Sequence, residues 1–311
     1  AVVRLATTDG MRVRYQTLYA SGLNHPPMQL IINGLVIGSI IALTAIGLSM
    51  IYKTLNFVNF AHGDFVAFAA YIAFFVNTSL GVHLAPAFLI SILATILLGV
   101  FIEKVVWLPM RRKNATRTTL IIISIGLALV LRNILIFVWG GGTKNYNIPV
   151  RQGFSFFGAT ITPNQILVII TAFLLMFLLH YLLSRTKIGK AMRALSDNID
   201  LARISGIDVD KVVLWTWVIG LGLAATGGVL YGLVTAIRPS MGWYLLLPMF
   251  AAIILGGIGN PYGTIAGGMI IGLSQELSTA VLPTEYKFAV SFVVMTAVLL
   301  VKPEGIFGGA K

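Results

Sequence analysis

Residues 184–211 read SRTKIGKAMRALSDNIDLARISGIDVDK, and they lie between two long apolar runs, 166–183 and 212–237. The stretch holds six of the chain's 22 basic residues and four of its ten acids, in a helix-compatible order. At about 1.5 Å rise per residue, each flanking run has roughly the length that crosses a bilayer's hydrocarbon layer as a helix. A charged island between two such runs must lie in water or against a protein partner. The stretch therefore decides the fold class: an all-α, polytopic helical membrane protein.

Composition agrees. Of 311 residues 58% are hydrophobic and only 10% charged, against about a quarter charged in soluble domains. The absence of cysteine excludes disulfides, thiol catalysis and cysteine-based metal sites. The net charge of +12 does not imply nucleic-acid binding, because the basic residues cluster between the spans, where they set orientation.

Outward from the island, further apolar segments fall at about 30–52, 57–76, 84–102 and 119–139 on the N-terminal side. On the C-terminal side they fall at 245–255, 263–282 and 288–301. The expected count is about eight transmembrane helices, nine at most. Segments 54–76 and 245–260 are expected to be broken or re-entrant, which is tolerated only where backbone packs in protein or lines a cavity. Residues 1–27 carry Arg4, Asp9, Arg12 and Arg14 and no apolar run. They are expected to form a weakly ordered extension before a transmembrane domain at 28–308.

The loop expected at 103–118 has five basic residues and the island six, whereas 140–164 has two. The Lys/Arg bias puts both basic loops in the cytoplasm, and with them the C-terminal tail.

Ionisable groups inside spans are costly and so are candidate functional groups. His62 and Asp64 flank Gly63 in the polar run Asn59–Asp64. Side chains two apart do not share a helix face, so a break at Gly63 is expected if the two act together. They either fix a bend by packing or line a solute path. Arg132 either snorkels outward or pairs with a carboxylate. Glu276, on a Gly/Ala/Ser-rich segment, is expected to face a partner helix. Freed backbone near Gly63 and at Gly256, Gly257 and Asn260 fits the broken helices of transporters. No phosphate-cradling loop of the G-x-x-x-x-G-K-[ST] type, nucleophile elbow or paired-His metal motif occurs. Active transport would then need an ion gradient or another subunit, and the scarcity of buried acids favours the second.

Three runs occur in this order: Asn59-Phe60-Ala61-His62-Gly63-Asp64, then Gly189-Lys190-Ala191-Met192-Arg193-Ala194 through Ser205-Gly206-Ile207, then Leu255-Gly256-Gly257-Ile258-Gly259. With them the chain, from about Met28 to Gly308, resembles the permease subunit of bacterial ATP-binding-cassette importers for branched-chain and other neutral amino acids. It is similar to the first of their two paired permeases. Urea and short-chain amide importers have closely similar permeases. The resemblance implies an inner-membrane location and a heterodimer with a second permease. It also implies two cytoplasmic ATPases that use ATP and Mg²⁺, and a periplasmic solute-binding protein. This chain itself is expected to bind no cofactor or metal and to be no enzyme.

The resemblance also implies an ATPase-coupling element at 194–207, with Arg193, Ala194, Asp197, Asp200, Ala202, Arg203 and Gly206 as its residues. Where related importers commonly open this motif with an acid, this chain has Ala194. A solute path near Asn59, His62, Gly63, Asp64, Gly256, Gly257, Asn260 and Glu276 completes the expectation. The reading from another class is a self-contained channel or ion-coupled transporter.

Overall fold

The computed structural model describes residues 27–149, 152–156 and 158–308. The extension expected at 1–27 falls, Pro27 apart, outside them. The bundle is built around α1 (Pro27–Leu55), whose residues from Gly38 to Ile51 are all buried. Six helices are long and apolar enough to cross a membrane: α1, a helix running Leu84–Arg112, α5 (Arg117–Trp139), α6 (Pro163–Arg185), α9 (Val209–Val234) and the last, Thr284–Val301. Three shorter ones complete the bundle: α2 (His62–Phe74), α10 (Met241–Gly256) and α11 (Pro261–Ser278). The protein is a multi-pass helical membrane protein, as its composition requires.

Two antiparallel seams flank α1. Against α11, a Cβ on Gly272 would fall on the Gly38 backbone, and one on Gly268 would meet the Ala42 backbone. Against α9, Gly220 abuts Gly47. Water provides no drive between helices in lipid, so close approach through small residues is what holds such seams. Helices α5 and α6 instead turn side chains such as Phe137 and Phe177 outward, the face a lipid-contacting helix needs. Between α5 and α6 a short hairpin, β1 (Phe154–Phe156) and β2 (Ala159–Ile161), pairs Phe154 with Ile161. The Thr160 N–H donates to the Gln29 side chain at 2.8 Å, tying the hairpin to the start of α1.

The structure corrects two expectations. The helix α3 (Leu84–Ile102) does not yield to a loop at Glu103. It continues through a π-helical turn (Glu103–Trp107) into α4 (Leu108–Arg112), so only 113–116 separate it from α5. Glu103 is buried but paired with Arg111, while Trp107 stacks on Trp217 at 6.3 Å and touches Phe57 at 4.9 Å. A charge with a partner and an indole with two aromatic neighbours can stay helical at this depth. Second, the break expected within 54–76 is present but lies before Gly63, not at it. The chain is unwound from Asn56 to Ala61, and α2 begins at His62.

The island forms two helices, α7 (Lys187–Asp197) and α8 (Ile199–Ile204). Thr186 caps the first by accepting from Gly189 N–H (3.0 Å), and Asn198 caps the second by accepting from Leu201 N–H (2.9 Å). Each cap satisfies a donor the helix itself leaves free. Met192 and Leu195, three apart on one face, are buried against the bundle. Asp208 then caps α9 through Lys211 N–H, which holds its carboxyl below the usual range.

Candidate transport path and coupling surface

The polar run Asn59–Asp64 sits deep in the bundle. Its unwound part re-enters from the α7 end: Ser124 Oγ accepts from Phe60 N–H (3.1 Å), serving a backbone donor that no helix serves, while its one hydrogen is shared between the Ile121 carbonyl of its own helix (2.7 Å) and the Val58 carbonyl (3.3 Å). His62 Nε2 lies 3.2 Å from the Thr44 carbonyl. A carbonyl only accepts, so Nε2 carries the proton and Nδ1 is left an acceptor. Neither His62 Nδ1 nor Asn59 Nδ2 has a partner among the described residues.

Asp64 occupies the first turn of α2, where the helix dipole favours a carboxylate. It accepts from both Arg132 Nε (3.0 Å) and an Arg132 terminal nitrogen (3.1 Å), the bidentate geometry of a strong ion pair. The guanidinium carbon stands 5.2 Å from the Trp243 ring centroid, a cation–π distance. Of the two expectations for Arg132, pairing is the one observed. Gly63, meanwhile, meets Gly242 at the start of α10, backbone to backbone. Asn59, His62, Gly63 and Asp64 are all buried, and none lines either of the two cavities described next.

The inner cavity, ≈ 960 Å³, lies at the α7 end. It is walled by Lys53 and Asn56 of the α1 end, Arg193 and Asp197 of α7, and Gly257 and Asn260 of the turn between α10 and α11. That turn holds Gly257 and Gly259 at φ +98° and +81°, values L side chains resist. Asn260 caps α11 through the N–H groups of Tyr262 and Gly263. The C-terminal segment returns to the same turn, Ile306 N–H donating to the Leu255 carbonyl at 2.8 Å. Gly256 packs behind it on Gly263 and does not line the cavity.

The outer cavity, ≈ 370 Å³, opens at the opposite end between α1, α9, α10, α11 and α12 (Lys287–Val301). Glu276 lines it and is paired with Lys287, Nζ to carboxylate oxygen 2.6 Å. Residues 42–49 of α1 line neither cavity and are all buried, a plug about 12 Å long at helical rise. Thr264 of α11 closes it further by donating to Ser49 Oγ at 3.2 Å. The eight residues expected to share one path are thus divided: Gly257 and Asn260 line the cavity at the α7 end and Glu276 the one at the opposite end, while Asn59 in the unwound stretch and His62, Gly63, Asp64 and Gly256 are buried away from both. Lys287 was not singled out from sequence. Asking which base stands nearest the intramembrane Glu276 would have found it, eleven residues on.

On the coupling element, Ala202 is buried while Arg193, Asp197, Asp200, Arg203 and Gly206 face solvent and Ala194 is half-buried. Helix α8 also exposes Leu201 (58%) and Ile204 (81%). The two lie three residues apart and so share one face of the helix. Lys53 reaches Asp197 at 4.0 Å, linking α7 to α1; both are exposed, so the link adds little stability.

The chain matches the family described as "Branched-chain amino acid transport system / permease component" over residues 30–299. It is 35% identical over 297 residues to the high-affinity branched-chain amino acid transport system permease protein LivH of Escherichia coli (strain K12), covering 90% of this chain and 95% of that one. LivH of Salmonella typhimurium is 34% identical over the same shares. The BraD permease protein of Pseudomonas aeruginosa is 34% identical over 295 residues, again 90% and 95% of the two chains. No solved structure matches the chain. A match over nine-tenths of the chain, on a helical bundle with a solvent-facing element between spans, makes the chain a member of the branched-chain amino acid transport system permease family.

Proposed function

We propose that this chain is the permease subunit of an ATP-driven importer that moves branched-chain and other neutral amino acids into a bacterial cytoplasm. It works with a second permease, two cytoplasmic ATPases and a solute-binding protein outside. The observation that carries the reading is the closed α1 plug between an outer and an inner cavity, with α7 walling the inner one. Alternating access needs this arrangement: a path shut in the middle and an external element able to move one wall. The α7–α8 element lies at the Lys/Arg-rich end, taken as cytoplasmic with the C-terminal tail. Without a phosphate loop in the chain, ATP and Mg²⁺ act in the partner subunits.

In liposomes, uptake of labelled leucine is expected only with ATPases, ATP and binding protein all present. Uptake by this chain alone under an ion gradient would instead establish a self-contained transporter. Urea or acetamide in place of leucine tests the amide-importer alternative.

The coupling surface has its own test. Ile204→Asp, or charge reversal at Arg193 or Arg203, is expected to weaken co-purification of the ATPase about tenfold or more. That is the scale of losing one well-buried apolar anchor at an interface. Membrane insertion should be unchanged, since all three side chains are exposed. Undiminished co-purification would remove α8 from the interface.

A further inference from the structure

We infer that the outer cavity is a binding site for a zwitterionic α-amino acid with an apolar side chain, the pair Glu276–Lys287 reading its two charges. The inference rests on the importer reading and names where the permease itself recognises its cargo.

The chemistry is laid out on the cavity wall. Glu276 supplies a carboxylate whose side chain is 9% exposed, and Lys287 an ammonium at 27%. Pro248, within α10 and on the same wall, has no N–H to give the Tyr244 carbonyl, which leaves a second acceptor beside the cavity. Asn33 Oδ1 accepts from Gln29 and Gln165, while its Nδ2 has no partner among the described residues and remains a donor. Ile37, Ile41, Leu245 and Phe288 provide the apolar side. The ≈ 370 Å³ volume falls within the roughly 300–1,000 Å³ of small-molecule sites.

Electrostatics favours the zwitterion over its fragments. When the cavity is empty, Glu276 and Lys287 neutralise one another. An incoming amino acid offers an ammonium to Glu276 and a carboxylate to Lys287, so both charges exchange partners and neither is stranded. An amine or a carboxylate alone would open the pair and leave one buried charge uncompensated, which is costly. The site therefore selects for the two charges together and leaves side-chain choice to the apolar wall.

The test uses the full chain, purified in nanodiscs, with tritiated L-leucine as probe and 3-methylbutan-1-amine and 4-methylpentanoate as competitors. Leucine is expected to bind saturably at millimolar concentration, and each single-charge analogue to compete at least about tenfold more weakly, the loss of one charge-assisted contact. Glu276→Gln and Lys287→Met are each expected to weaken leucine binding by a similar factor. Ile37→Trp fills the cavity without touching the pair and should weaken it too, which separates binding from fold. Leucine binding that is absent in the parent, no better than that of the analogues, unchanged in both Glu276→Gln and Lys287→Met, or unchanged in Ile37→Trp overturns the inference. Uptake by the complete assembly keeps the two readings apart. Transport by the parent assembly that Glu276→Gln and Lys287→Met leave intact removes this site but not the importer, whereas no transport by the parent assembly removes the importer reading itself.

Discussion

Arg132→Met is expected to destabilise the folded protein by about 3–5 kcal/mol, the cost of breaking a buried ion pair from one side. The Asp64 side chain is 1% exposed, and both its oxygens accept from Arg132. Without the guanidinium, a carboxylate remains where neither water nor another base reaches it. Adding Asp64→Asn removes the stranded charge, so the double variant should recover most of the loss, because replacing both partners is far cheaper than removing one. Arg132→Lys should recover only part of it. An ammonium cannot reproduce the two-pronged contact or lie flat against Trp243. The measurement is the monodisperse fraction in mild detergent after heating through a temperature series. Equal stability of Arg132→Met and parent would mean that Asp64 is protonated in place or reached by water, and the pair would lose its structural role.

That pair marks the boundary of what the sequence discloses. The spans are legible because lipid demands unbroken apolar helices, and so is the turn after α10, where Gly257, Gly259 and Pro261 each impose a backbone shape. The caps of α7 and α8 are equally local, a threonine and an asparagine three residues before the N–H each serves. Asp64 and Arg132, by contrast, stand 68 residues apart, and only the packing of α2 on α5 brings them together. Glu103 misleads for a related reason: five basic residues nearby read as a loop, but pairing with Arg111 and burial of Trp107 carry the helix onward. Gly63 misleads because glycine serves two purposes. Read along the chain it suggests a break; in space it is the point where one backbone touches another. That Asn260 and Glu276 fall at opposite ends was legible, since sixteen residues along one helix span about 24 Å; that Gly257 lines a cavity while Gly256 beside it packs on Gly263 was not, because that depends on which neighbour each faces.

Gly63→Ala and Gly242→Ala are each expected to cost toward the upper end of the roughly 1–3 kcal/mol that over-packing exacts. They are also expected to lower transport more than insertion. A methyl on either glycine would fall on the other's carbonyl group. Backbone on both sides of the crossing cannot rotate away as a side chain can, so α2 and α10 must separate. Their separation would shift the starts of both helices, moving Asp64 off Arg132 and Trp243 off the guanidinium. Because both methyls push apart the same crossing, the double variant should cost little more than either single one, the non-additivity of contacting sites. Gly126→Ala is the control: it lies on the exposed face of α5 with nothing within 4 Å of a new Cβ. That substitution should leave thermal stability and uptake unchanged, or raise stability slightly through helix propensity. Additive losses at Gly63 and Gly242 would show that the two glycines act at separate places and not through one crossing of α2 and α10.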